Sequence, residues 1–139
     1  MATIFTRIIQ GEIPGTFVWR DDLCVSFMSI NPLRHGHTLV VPISEIDHWI
    51  DCPDDIRDHL FDVAQRVARA QQAAFRPARV GLMIAGLEVS HLHLHVVPID
   101  GAHDLDFGNA APSVDPADLE RAAEAIRHSL RAAGEPGAA

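Results

Sequence analysis

The stretch Ser90-His91-Leu92-His93-Leu94-His95-Val96-Val97-Pro98 governs how the rest of the chain is read. Its three histidines alternate with Leu, Leu and Val, a period of two that predicts a β-strand with one apolar face. The other face then carries His91, His93 and His95, spaced roughly 6.5 Å apart along the strand. Packing alone is a poor reason for such a row, because each ring has polar nitrogens that need partners. Two chemistries remain. Zinc could be shared by two of these rings. It could not be shared by all three, since the first and third would lie roughly 13 Å apart and Zn–N bonds are about 2.0 Å long. A proton and phosphate site uses all three: one imidazole attacks, and its neighbours orient it, hold charge or pass a proton. The second reading accounts for more of the stretch.

Composition narrows the setting. The chain has 139 residues, 47% of them hydrophobic and 22% charged, as expected for a globular domain with a proper core. We expect a single domain over residues 1–133 and a flexible tail over 134–139, Gly-Glu-Pro-Gly-Ala-Ala. A formal charge of −8 argues against a nucleic-acid polymer as partner, although a small anion can enter a locally positive pocket. Cys24 and Cys52 have no Cys-x-x-Cys spacing, so neither a disulfide framework nor a cysteine zinc site is indicated. No apolar run approaches a membrane span and no signal-peptide core is evident, so a cytoplasmic location and no membrane association are expected.

Taken in order, residues 3–10 fit a short helix, and Thr16 to Arg20 and Leu23 to Met28 a hairpin turning at Asp21-Asp22. Ile30 to Gly36 reads as loop, and His37 to Pro42 as a central strand. From Pro53 to about Phe75, Ile56, Leu60, Val63, Val67, Ala70 and Ala74 recur at helical spacing. Val80 to Ile84 is a strand, the histidine strand follows, and Pro98 is expected to close it. Asp115-Pro116 starts a C-terminal helix. The pattern predicts an α+β fold: a mainly antiparallel sheet, one long helix and a C-terminal helix.

Other residues extend the candidate site. His37 follows Gly36 at a strand start, where it could support the attacking imidazole through a hydrogen bond. Gly86 precedes the histidines and would let backbone N–H groups approach an oxyanion. Glu88 is a second polar neighbour. His35, His48, His59, His103 and His128 fall in loops or on polar helix positions and read as solvated surface.

His-x-His-x-His followed by two apolar residues resembles the signature of the histidine-triad (HIT) family of nucleotide hydrolases and transferases. Ile4-Phe5-x-x-Ile8-Ile9-x-Gly11-Glu12-Ile13-Pro14, Ile30-Asn31-Pro32, Gly36 to Pro42 and Ala85-Gly86-x-x-Val89 match that family's pattern in its order. The resemblance implies a five-stranded sheet with a long helix, pairing as a homodimer through a continuous sheet. It implies His93 as nucleophile on an α-phosphorus, His95 at the phosphate or bridging oxygen, and His91 and His37 as the rings that orient the nucleophile. Gly86, Glu88, Val89, Ser90, Ser29, Ile30 and Asn31 would contact a nucleotide or nucleotide conjugate. The implied reaction is cleavage of a nucleotidyl phosphoester, phosphoramidate or dinucleoside polyphosphate through a nucleotidyl-histidine, with no cofactor. The alternative is a nucleotide-binding regulator with negligible turnover.

The departures matter too. Many bacterial members of that family hold a structural zinc with two cysteines and a histidine, where this chain has Thr3, Thr6 and Glu45. The resemblance therefore implies no metal there. The family's ribose-gripping acid is Ser29, the glutamine after Ala-Gly is Leu87, and the loop before Ala85 is short and lacks a phosphate-side asparagine.

Overall fold

Short runs of β-branched and apolar residues pair into one sheet, and two amphipathic helices cover one of its faces. The computed structural model describes residues 1–139. Its elements are α1 (Ile4–Ile9), β1 (Phe17–Arg20), β2 (Cys24–Met28), β3 (Thr38–Pro42), α2 (Asp54–Phe75), β4 (Arg79–Met83), β5 (Leu94–Ile99) and α3 (Pro116–Ala132). The strand order is β1-β2-β3-β5-β4, antiparallel throughout. The α+β class, the five strands and both long helices agree with the sequence reading.

Side-chain alternation splits the interior in two. On one face Cys24, Met28, Val40, Leu94 and Val96 meet Leu60, Val63 and Val67 of α2 and Ala122, Ile126 and Leu130 of α3. Burial of each such Leu, Ile or Val side chain contributes roughly 1.5–3 kcal/mol. On the other face Val25, Phe27, Leu39 and Val41 pack against Phe5 of α1, with Val89 at the margin. His95 sits opposite Leu39 in the β3–β5 ladder, so it shares this second face. α1 starts where the Thr3 hydroxyl accepts from the Thr6 N–H at 3.0 Å, and α3 where the Asp115 carboxylate accepts from Ala117 at 3.0 Å.

Three expectations need correction. The histidine stretch is not one strand: β5 begins only at Leu94, and a bend at His91 followed by irregular Leu92 and His93 leads into it. Those residues are secured elsewhere, since Leu92 donates its N–H to the Ile46 carbonyl at 2.6 Å and the His91 ring bonds the Pro42 carbonyl. Pro98 does not close the strand, which runs on to Ile99 with Pro98 opposite Val80. β3 pairs β5 only as far as Val96, so one flank of β5 has no ladder to supply at Pro98. Finally, residues 134–139 are docked, not frayed. Gly137 O accepts from Arg20 N and Ala139 N donates to Val18 O, lengthening the β1 edge, while Glu135 pairs with Arg66.

β4 forms the opposite edge of the sheet and has no such cover. Leu82 and Ile84 are exposed along it, with Phe61 of α2 alongside. No helix is long and apolar enough to cross a membrane.

Candidate functional site

The irregular segment 91–93 and the starts of β3 and β5 bring His37, His91, His93 and His95 together in the interior. His91 and His37 are 0% and 2% exposed, whereas His93 and His95 keep 7% and 8%, so the latter pair is the one that faces outward. The His93 and His95 rings lie 4.9 Å apart between centroids.

The hydrogen bonds settle which nitrogen carries each proton, because backbone groups at the ends of the chain can act in only one sense. The Leu33 N–H donates to His37 Nδ1 at 3.0 Å, so in the neutral ring the proton sits on Nε2. That Nε2–H donates to His95 Nδ1 at 2.9 Å, which leaves His95 with its own proton on Nε2. On the other side, the His91 carbonyl can only accept, so His93 donates from Nδ1 at 2.7 Å and keeps a bare lone pair on Nε2. The site thus presents one unprotonated imidazole nitrogen beside one N–H donor. That pairing suits nucleophilic attack beside a hydrogen-bond donor for the oxygens of the reacting phosphoryl group or its leaving group.

Burial keeps these rings neutral. It lowers His37 to about 3, with the neighbouring His95 and His93 adding to the shift. It lowers His95 to about 4, with His93 again contributing. His93 is lowered for the same first reason, partly offset by its bond to the His91 carbonyl and by the charge of Glu88.

His91 plays its part differently from the expectation. Its ring is not hydrogen-bonded to His93: Nε2–H donates to the Pro42 carbonyl at 2.8 Å, so Nδ1 accepts from the Thr3 hydroxyl at 2.7 Å. It is the His91 backbone carbonyl that holds His93. His37, likewise, bonds His95 and not the central ring.

Thr3 and Thr6 converge on Glu45, whose Oε1 accepts from the Thr3 N–H at 3.0 Å and the Thr6 hydroxyl at 2.6 Å. These groups do not fit a zinc ion. Two neutral hydroxyls replace thiolates, and the Nδ1 of His91 is occupied by the Thr3 hydroxyl. A hydrogen-bonded cluster fills the position instead.

The remaining expected residues are placed unevenly. Gly86 adopts φ +74°, a conformation that favours glycine, in the turn ahead of the histidines. Glu88 and Ser90 are exposed and Val89 packs toward Phe5. Ile30 is exposed and the Ser29 hydroxyl accepts from Asn31 N at 3.3 Å. Asn31 is not free to donate to a ligand, because its amide holds the Ala111 and Pro112 carbonyls at 3.2 and 2.9 Å. His35, His48, His103 and His128 are exposed as expected, but His59 is half-buried and bonded to Asp21 at 2.7 Å.

Three contributors escaped the sequence reading. Phe5 meets His93 edge-on at 5.0 Å, and Phe107 meets His95 at 5.2 Å from the loop after β5. Gln71 is wholly buried on α2, and its amide bridges the Gly36 and Val96 carbonyls, tying β3 to β5 beside His37. Gln71 lies four residues after Val67 on the apolar stripe, and a polar residue there was a readable signal. Phe5 and Phe107 carried none.

An α+β domain that gathers four buried histidines beside its sheet has clear relatives. The HIT domain family model matches residues 10–102. The protein hit of Bacillus subtilis is 31% identical over 136 residues, spanning 91% of this chain and 93% of that one. The adenosine 5'-monophosphoramidase of Saccharomyces cerevisiae is 31% identical over 98 residues, 70% of this chain and 62% of its own. A zinc-bound histidine triad family protein from Mycobacterium smegmatis superposes with a TM-score of 0.82 at 27% identity, over 96% of each chain. The chain belongs to the HIT family.

Proposed function

We propose that this protein is a hydrolase or nucleotidyl transferase that cleaves a nucleotidyl phosphoester, phosphoramidate or dinucleoside polyphosphate through a covalent nucleotidyl-histidine. The observation that carries the reading is the paired tautomer state: a bare Nε2 on His93 beside an Nε2–H on His95. His93 Nε2 attacks the α-phosphorus, the bond to the leaving group breaks as that group takes a proton from water, and the His95 Nε2–H donates a hydrogen bond to the departing oxygen or nitrogen. Water then attacks the phosphorus, the phosphorus–nitrogen bond breaks to return neutral His93, and the proton released passes to solvent. Backbone N–H groups between Gly86 and Ser90 would stabilise charge on the phosphoryl oxygens. A monophosphoramidase among the relatives supports this substrate class.

Leu87 is 92% exposed, and Ser29 stands where an acid would grip ribose, so a weakly hydrolytic nucleotide binder is the second reading. A panel of adenosine and guanosine phosphoramidates and dinucleoside polyphosphates separates the two. Turnover of at least one compound supports the enzyme. Binding of nucleotide without any turnover supports the regulator.

The open edge at β4, with Leu82, Ile84 and Phe61 exposed, supports a homodimer that joins two sheets. Light scattering at micromolar concentration should give twice the chain mass, and a monomer mass would refute the pairing. We place the activity in the cytoplasm.

A further inference from the structure

Away from the histidine cluster, the turn between β1 and β2 gathers three donors of different chemistry. Asp21 lies in the turn, Cys24 opens β2, and His59 projects from the first half of α2. The carboxylate oxygen, the thiol sulfur and the imidazole nitrogen all lie within 4.8 Å of one another. Asp21 is anchored for this arrangement. Its Oδ1 accepts the Leu23 and Cys24 N–H groups at 2.8 and 2.9 Å, while Oδ2 faces the Trp19 indole N–H at 2.7 Å, His59 Nε2 at 2.7 Å and Cys24 Sγ at 3.7 Å.

We propose that Asp21, Cys24 and His59 form a binding site for a thiophilic divalent cation of the zinc type, with the fourth position open to water. Tetrahedral bonds of about 2.0–2.3 Å place neighbouring ligand atoms roughly 3.3–3.7 Å apart. The Asp21–Cys24 pair already has that separation. The His59–Asp21 pair is about 0.7 Å too close, and His59 is the one ligand with room to swing, its side chain being 30% exposed. A cleft of about 460 Å³, whose charged lining joins Asp21, Asp22, Asp62 and His59 with Arg20 and Arg66, opens on the carboxylate and the imidazole. It provides an entry path and space for a bound water.

The charges balance. On binding, the Cys24 thiol releases its proton to solvent, His59 shifts its ring proton to Nδ1, and Asp21 binds as the carboxylate. One thiolate and one carboxylate then neutralise a dication, so no net charge is buried. Trp19 and the two backbone N–H groups remain as outer partners that hold Asp21 in position. The ion would link the hairpin to α2. The site was missed in the sequence because its ligands are 38 residues apart at the extremes and the cysteine has no companion.

The test is to titrate cobalt(II) into chelator-treated full-length protein while following the thiolate-to-cobalt charge-transfer absorption, with zinc affinity then measured by competition. Wild-type protein should show the band at one equivalent. Cys24→Ser should abolish it, and His59→Gln, which alters a half-exposed side chain and should not threaten folding, should weaken zinc at least about 100-fold, the upper end for losing an outer partner. Cys52→Ser and His93→Gln should leave both band and affinity unchanged. Absence of the band in wild type, its survival in Cys24→Ser, unaltered affinity in His59→Gln, or its loss in Cys52→Ser or His93→Gln would each overturn the site.

Discussion

Two hydrogen-bond chains enter the histidine cluster from opposite sides, and they are built differently. The chain through His37 to His95 starts at a backbone N–H, that of Leu33, and both its rings are buried. The chain from Glu45 to His91 runs through the Thr3 N–H and hydroxyl, with the Thr6 hydroxyl also on Glu45, and its outer end is exposed. It reaches His93 only through the His91 carbonyl. A proton whose position is set by backbone is hard to move by mutation. The proton of His91 is likewise fixed by a backbone group, the Pro42 carbonyl, so on this side only the support of its Nδ1 is open to change from the surface. The comparison therefore predicts that damage to the first chain reaches chemistry, whereas damage to the second mainly loosens the support of His91.

The largest effect should come from His93, which the second chain holds and which lies beside the end of the first. His93→Asn should lower kcat by about 10⁴-fold or more while nucleotide affinity stays within a few-fold, since the ring's main contribution is to a covalent step. Equal losses in affinity and kcat would instead make His93 a binding residue.

Acid should expose the buried chain next. Because burial lowers His37 to about 3 and His95 to about 4, the unfolded chain binds more protons than the folded one as pH falls from about 6.5 toward those values. Stability is then lost on acidification, with a slope of about 1.4 kcal/mol per pH unit for each ring. Urea unfolding between pH 7 and pH 5 checks this. Flat stability across that window would mean that the rings are not held neutral.

His37→Phe keeps a ring in place but removes the donor to His95. It should lower kcat about 10–100-fold, with KM little changed. On the side-chain chain, Thr3→Val leaves the buried His91 Nδ1 without a donor. It should cost about 1–3 kcal/mol in unfolding free energy and less than about tenfold in kcat. Glu45→Gln, at the exposed end, should stay within about twofold of wild-type kcat. If Thr3→Val impaired turnover more than His37→Phe, the asymmetry between the chains would be wrong.

The sequence carried most of the frame. Alternation in 24–28 and 38–42, the stripe on α2 and the Asp115-Pro116 start were readable because each depends on local period or capping chemistry. The four histidines were also readable as a group. Their wiring was not, because it depends on where a carbonyl or an N–H points. Leu33 N, Pro42 O and His91 O decide three tautomers, and no side-chain pattern encodes a backbone direction. The same reason explains the overlong histidine strand: the period of two persists through His91 and His93, but His91 and Leu92 find their partners at Pro42 and Ile46 and His93 at the His91 carbonyl, not in a ladder. The tail was misread because Gly and Pro there resemble a frayed end, while its bonds to Val18 and Arg20 are main-chain bonds.

The covalent step is tested most directly by rapid quench of the wild-type protein with a substrate labelled in its nucleotidyl group, chosen from the phosphoramidates it turns over. The account predicts label on His93 within one turnover, stable to base and lost in acid as a phosphorus–nitrogen bond should be, and none on the His93→Asn variant. Turnover by wild type with no label on His93 under any quench, or turnover at the wild-type rate by the variant, would contradict it.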